Sequence, residues 1–139
     1  MNLVLDASVA LAWIYPDETT DAVRAVFDSV ANDGAVVPAA WRLEVANGLT
    51  VALRRHRISA GFRAAALSDL ARLDISVDAD TDVHAWANTL QFSDRFRLTV
   101  YDAAYLELAQ RRLLPLASLD NELRAAARAL GVGLLGTAA

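Results

Sequence analysis

The sequence predicts an α/β protein of three layers, with a short, mostly parallel five-stranded sheet flanked by about seven helices. Three observations carry this. Short apolar runs alternate with longer stretches whose apolar residues recur at helical spacing. The first run, Leu3-Val4-Leu5, is apolar at every position, as in a strand buried on both faces of a parallel sheet. Pro16, Pro38 and the Asn32-Asp33-Gly34 triplet fall at the boundaries between runs, where helices and strands stop. At 139 residues, with 55% hydrophobic and 22% charged residues, the chain reads as one packed domain, 1–139.

The elements follow in order. After the first strand, residues 8–15 form a short buried helix stopped by Pro16. Residues 18–31 place Val23, Val26, Phe27 and Val30 on one helical stripe. Ala35-Val36-Val37 is a second strand. Residues 40–55 form a long helix with Trp41, Val45, Leu49, Ala52 and Leu53 along one face. A helix over 59–73, with Ser59 as its N-cap, completes a hairpin. Residues 74–77 are the third strand. A helix then runs from Asp80 or Thr81 past Leu90, losing its pattern near Ser93-Asp94. Residues 99–112 form a clear helix, 114–118 contain the fourth strand, 120–130 are the last helix before Gly131, and 132–135 are the fifth strand. Alternation of this kind gives a sheet covered on both faces by right-handed crossovers.

Composition excludes several chemistries. There is no Cys, hence no disulfide scaffold, thiolate nucleophile or cysteine zinc site. All 13 basic residues are Arg, so neither a phosphate-binding loop with its Lys nor a Schiff-base lysine is possible. No apolar run reaches the length of a membrane span and no leader peptide is read, so a cytoplasmic protein without a membrane partner is expected. The net charge of −4 disfavours nucleic acid in general, but four of the acids are the candidate site itself.

Those four are Asp6, Glu44, Asp102 and Asp120. Each has an ordinary explanation. Asp6 and Asp120 stand where helix N-caps stand, Asp102 follows Thr99 as in a capping box, and Glu44 can be a solvated helical residue. Jointly they say more. Asp6 and Asp120 follow strands at their carboxyl ends, where open α/β sheets place ligands, and Glu44 and Asp102 lie in first helical turns. Clustered carboxylates raise one another's pKa, and a divalent cation relieves them. An all-oxygen set suits Mg2+ or Mn2+, which serve phosphodiester hydrolysis. Ser8, Asn47 and Ser118 are candidate supporting groups, Asn47 sharing a helix face with Glu44. Gly48, one turn past Glu44, marks either a close approach or a packing need.

The segments Leu-Val-Leu-Asp-Ala-Ser, Trp-Arg-Leu-Glu-Val-Ala-Asn, Thr-Val-Tyr-Asp-Ala-Ala-Tyr-Leu-Glu-Leu-Ala and Leu-Ala-Ser-Leu-Asp-Asn-Glu-Leu resemble, in order and spacing, a PIN-domain protein. More narrowly, they resemble the VapC-type toxins of bacterial toxin–antitoxin systems. The resemblance spans essentially the whole chain. It implies a PIN-like fold and a Mg2+- or Mn2+-dependent endoribonuclease cutting RNA to 5′-phosphate and 3′-hydroxyl ends with a metal-activated water. It implies Asp6 and Asp102 as the most direct metal ligands, with Glu44 and Asp120 acting through water, at a second metal or on the nucleophile. It also implies a homodimer and a separately encoded VapB-like antitoxin. Ser118 stands where the family more often has Thr.

Other features have two readings. Arg54-Arg55-His56-Arg57 and Arg111-Arg112 are either RNA-backbone contacts or cations at helix C-termini. Arg95 and Arg97 are candidate RNA contacts near Asp102. Trp13, Trp41 and Trp86 read as core or dimer residues, Tyr101 and Tyr105 as dimer packing, and the apolar hairpin over 41–73 as an antitoxin groove. Two rivals stand beside the nuclease. One is an aspartyl-phosphate domain built on Asp6, disfavoured by the missing second Asp and missing Lys. The other is a catalytically inactive PIN-like module that binds RNA or a partner.

Overall fold

The computed structural model describes residues 2–138. Five parallel strands lie in the order β3-β2-β1-β4-β5: β1 (Val4–Leu5), β2 (Ala35–Val37), β3 (Ile75–Val77), β4 (Leu116–Ala117) and β5 (Leu134–Leu135). Val4 pairs with both Val36 and Leu116, so the first strand is the sheet's centre. Leu3, Val4 and Leu5 are completely buried, which explains the unbroken apolar run. The chain leaves β1 toward β2 and β3, then returns to β4 and β5. The direction reverses between β1 and β4, the crevice where sheets of this kind bind ligands.

Eight helices cover the sheet: α1 (Ala7–Ile14), α2 (Asp21–Asp33), α3 (Trp41–Arg54), α4 (Ala60–Ala71), α5 (Thr81–Ala85), α6 (Asn88–Phe96), α7 (Val100–Arg112) and α8 (Asn121–Ala129). Thr20, Ser59, Thr99 and Asp120 each accept a backbone N–H in the first turn of α2, α4, α7 and α8. Each such cap satisfies one orphan donor and contributes roughly 1 kcal/mol. The most buried helix is α7, whose Ala103, Tyr105, Leu106, Leu108 and Ala109 are essentially sealed from solvent. Burying each large apolar side chain there contributes about 2 kcal/mol.

Two boundaries differ from expectation. Pro16–Glu18 is a separate 3₁₀ turn, so α2 starts at Asp21, behind its Thr20 cap, rather than at residue 18. The helix expected from residue 80 onward is two helices, broken at Ala87 (φ −119°, ψ −108°). The break lets α5 point His84 at Glu107 of α7 (3.6 Å) while α6 separately buries Thr89. One straight helix keeps a single face and does not do both. Among the described residues no helix is long and apolar enough to cross a membrane.

Candidate acidic site

Asp6 ends β1 and is buried, with 4% of its surface exposed. It occupies the N-cap position of α1, yet its side chain caps nothing. Its Oδ2 instead accepts two hydroxyl hydrogen bonds, from Ser8 Oγ at 2.7 Å and from Ser118 Oγ at 2.8 Å. Each hydroxyl also accepts: Ser8 Oγ from Leu119 N at 3.0 Å and Ser118 Oγ from Asp120 N at 3.1 Å. The two serines therefore stitch the β1 end to the β4 end and fix the carboxylate between them. Behind them the buried Arg124 of α8 donates to Ser118 O at 2.9 Å, holding that end of β4 in place.

Asp120 does act as a cap. Its Oδ1 accepts from Leu123 N at 2.8 Å, so its ordinary explanation holds and its position beside Ser118 is an addition to it. Glu44 lies in the first turn of α3 and Asp102 in the first turn of α7, as expected. Glu44 Oε1 is buried without a well-formed hydrogen bond; the Tyr105 hydroxyl pulls its pKa down but does not answer its charge, an expensive state for a carboxylate unless something else pairs it.

The electrostatics tie the acids together. Burial pushes the Asp6 carboxyl up, its hydroxyl partners pull it down, and the Asp120 charge raises it further. Burial, then the charges of Asp6 and Asp102, push Glu44 up to about 7. Burial, then Asp6 and Asp120, raise Asp102. No ion pair joins any of the four to an arginine among the described residues. The donor set fits a hard divalent cation: oxygen only, mutually repelling, with one orphaned buried oxygen. The side chains do not converge, however; among the described residues no three Asp, Glu or His side chains are grouped closely enough to hold a metal ion.

The remaining expected site residues separate into those brought to the acids and those left out. Ser8 and Ser118 are brought there. Asn47 is exposed on α3 and makes no side-chain hydrogen bond among the described residues. Arg95 and Arg97 are exposed; the Arg95 guanidinium lies 4.7 Å over the Phe96 ring, and Arg97 takes the left-handed conformation that ends α6. Neither pairs with a cluster acid. Tyr105 is not a dimer contact: it is fully buried, its Oη without a well-formed hydrogen bond, and burial together with the nearby Asp6 and Glu44 charges raises its hydroxyl pKa. The signal for it was its place three residues after Asp102, on the same helix face. Trp41 is core, whereas Trp86 is 91% exposed. Gly48 faces the Leu11 side chain, whose Cδ1 would lie 2.7 Å from a Cβ there and would have to turn aside.

A three-layer protein with buried acids at the switch point of a parallel sheet is the class that this geometry defines. The chain belongs to the PIN domain family, whose model matches residues 3–129. It is similar in fold to PAE2754 from Pyrobaculum aerophilum (22% identity, TM-score 0.70, covering 96% of this chain and 83% of that one). It is also similar to FitAcB from Neisseria gonorrhoeae (17% identity, TM-score 0.65, covering 95% of each). No curated protein matches.

Proposed function

We propose that this chain is a metal-dependent endoribonuclease, the VapC-type toxin of a toxin–antitoxin pair. PIN domains are generally nucleases. The single observation that supports the finer reading is that Asp6, Glu44 and Asp102 are buried or half-buried acids with no arginine to answer them, Asp6 raising the pKa of both others and Asp120 that of Asp6. Asp6 and Asp102 would hold a Mg2+ or Mn2+ ion most directly, with Glu44 and Asp120 beside them. When bound, such an ion makes hydroxide available near neutral pH and stabilises charge on the phosphate. Ser8 and Ser118 orient Asp6 as outer-sphere partners orient metal ligands.

The partners in this reading are RNA, a second copy of the chain and an antitoxin. Trp86 and Tyr101, exposed by 91% and 61%, line one groove with Leu90 and Val100, an apolar surface that supports a homodimer. The groove lined by Trp13, Ile14, Phe27, Phe62 and Leu70 suits a helical antitoxin segment. The test is expression of the wild-type chain and Asp6→Asn in a bacterial host, with the 5′ ends of the recovered RNA mapped. Growth arrest with discrete new 5′-phosphate ends, both lost in the variant, is the expected result. Identical growth and identical RNA ends, with no Asp6-dependent Mn2+ binding by the purified protein, overturn the reading in favour of an inactive binding module.

A further inference from the structure

Resting on the ribonuclease reading, we propose that the cleft between α1 and the carboxyl end of α3 binds the single-stranded RNA that flanks the cut phosphate, and that Arg55 is its phosphate contact. The cleft holds about 320 Å³. It begins at Ser8, whose hydroxyl donates to Asp6, so it abuts the acidic site through that side chain. Leu11, Gly48, Val51 and Ala52 form its apolar floor, and Arg55 and Arg57 line its far end together with Glu18, which Arg57 pairs. An apolar floor with cations at one end matches a nucleotide's base and ribose on one side and its phosphates on the other. Gly48 leaves room in the floor for the Leu11 side chain, whose Cδ1 would lie 2.7 Å from a Cβ there and would have to turn away.

The two arginines are not equivalent. The Arg57 guanidinium lies 3.3 Å from Glu18, 3.5 Å from Asp17 and 4.1 Å over the Tyr15 ring. Its charge is already answered, and it braces the 3₁₀ turn against the cleft. Arg55 is exposed and has no ion-pair partner among the described residues. A free guanidinium at the rim of a cleft that leads to acids is suited to a phosphate oxygen. On a chain of net charge −4, such a local cation matters more than the overall balance. Of the three arginines in the Arg54-Arg55-His56-Arg57 run, Arg57 is structural, Arg55 faces ligand and Arg54 does not line the cleft.

The experiment measures binding of fluorescein-labelled, mixed-sequence single-stranded RNA to Asp6→Asn protein, by anisotropy, across a series of salt concentrations. Adding Arg55→Ala is expected to weaken binding roughly 5- to 10-fold and to lower the salt slope by about 0.7, the value of one phosphate contact on a single strand. Arg55→Glu weakens it further. Arg128→Ala, at the opposite end of α8 from Asp120, leaves both affinity and slope unchanged. Equal affinity and slope for Arg55→Ala, with RNA binding otherwise intact, overturn the cleft and leave the ribonuclease reading standing. No RNA binding by any form overturns both.

Discussion

Two groups of carboxylates lie in this molecule, and they are built oppositely. At one, Asp78 and Glu107 are buried, with 3% and 4% of their side chains exposed, and Arg111 answers both: Nη2 to Asp78 Oδ2 at 2.6 Å and Nε to Glu107 Oε1 at 2.7 Å. Burial pushes Asp78 up, but the hydrogen bonds and charge of Arg111 more than offset it and leave its carboxyl below the usual range. At the other, Asp6, Glu44 and Asp102 have hydroxyl partners at most, no arginine, and raised pKa values. Burial of an acid therefore does not separate the two groups; the missing countercharge does. The first group staples the β3 end and α5 onto α7. The second stores repulsion that an external cation can relieve.

Substitutions break the contrast in opposite directions. Asp6→Asn is expected to lower RNA cleavage on the order of 10³-fold, the scale for a group that serves developing charge at the reacting centre. In metal-free buffer its Tm stays level or rises, because a repelling charge is gone while the serine hydrogen bonds keep an acceptor. Calorimetry beside a cleavage assay reads both. Arg111→Ala does the reverse: it takes the closest countercharge from two buried acids, leaving Asp78 only Thr81 and the more distant Arg112 and leaving Glu107 only His84, at a cost of about 3 kcal/mol and a Tm lowered by roughly 10 °C, while cleavage below the transition persists. If Arg111→Ala abolishes cleavage in folded protein, the two groups are not independent.

Smaller effects sharpen the same contrast. Mn2+ at about 100 times its Kd should stabilise the wild type by about 2.7 kcal/mol, an upshift absent from Asp6→Asn and retained in a chain altered only at His84. A thermal shift titration measures it. The smallest effect is on pH. Glu44 titrates at about 7 in the fold against 4.5 in its ordinary state, so between those values the folded chain binds more protons than the unfolded one. Its contribution to stability is therefore greatest at the acid end of that window and is lost as pH rises through 7. Glu44→Gln should flatten the metal-free Tm-against-pH curve over that window; an unchanged slope would assign it to other groups.

Much of the fold was legible in the sequence. The unbroken apolar run before Asp6, the punctuating Pro and Gly residues and the Thr99, Ser59 and Asp120 caps depend only on neighbours a few residues away, and they appear in the structure as read. Asp6, Ser8 and Ser118 were legible as candidates because each follows a strand. Glu107, Asp78 and Arg111 were not, because their pairing joins residues 33 apart across two elements and leaves no periodic trace. Tyr105 looked like one more aromatic on a helix until burial placed its hydroxyl beside Asp6 and Glu44.

The sequence by itself determined the layer architecture, the capped starts of α4, α7 and α8 and the residue types available for chemistry, since these follow from periodicity, capping and the absence of Cys and Lys. Only the tertiary structure decided the strand order, and with it the reversal between β1 and β4 that turns two distant strand ends into one crevice. It also decided which acids gain an arginine and which do not. Charge pairing is a property of distance in space, and a chain of 13 arginines and 17 acids permits many pairings until the sheet fixes one.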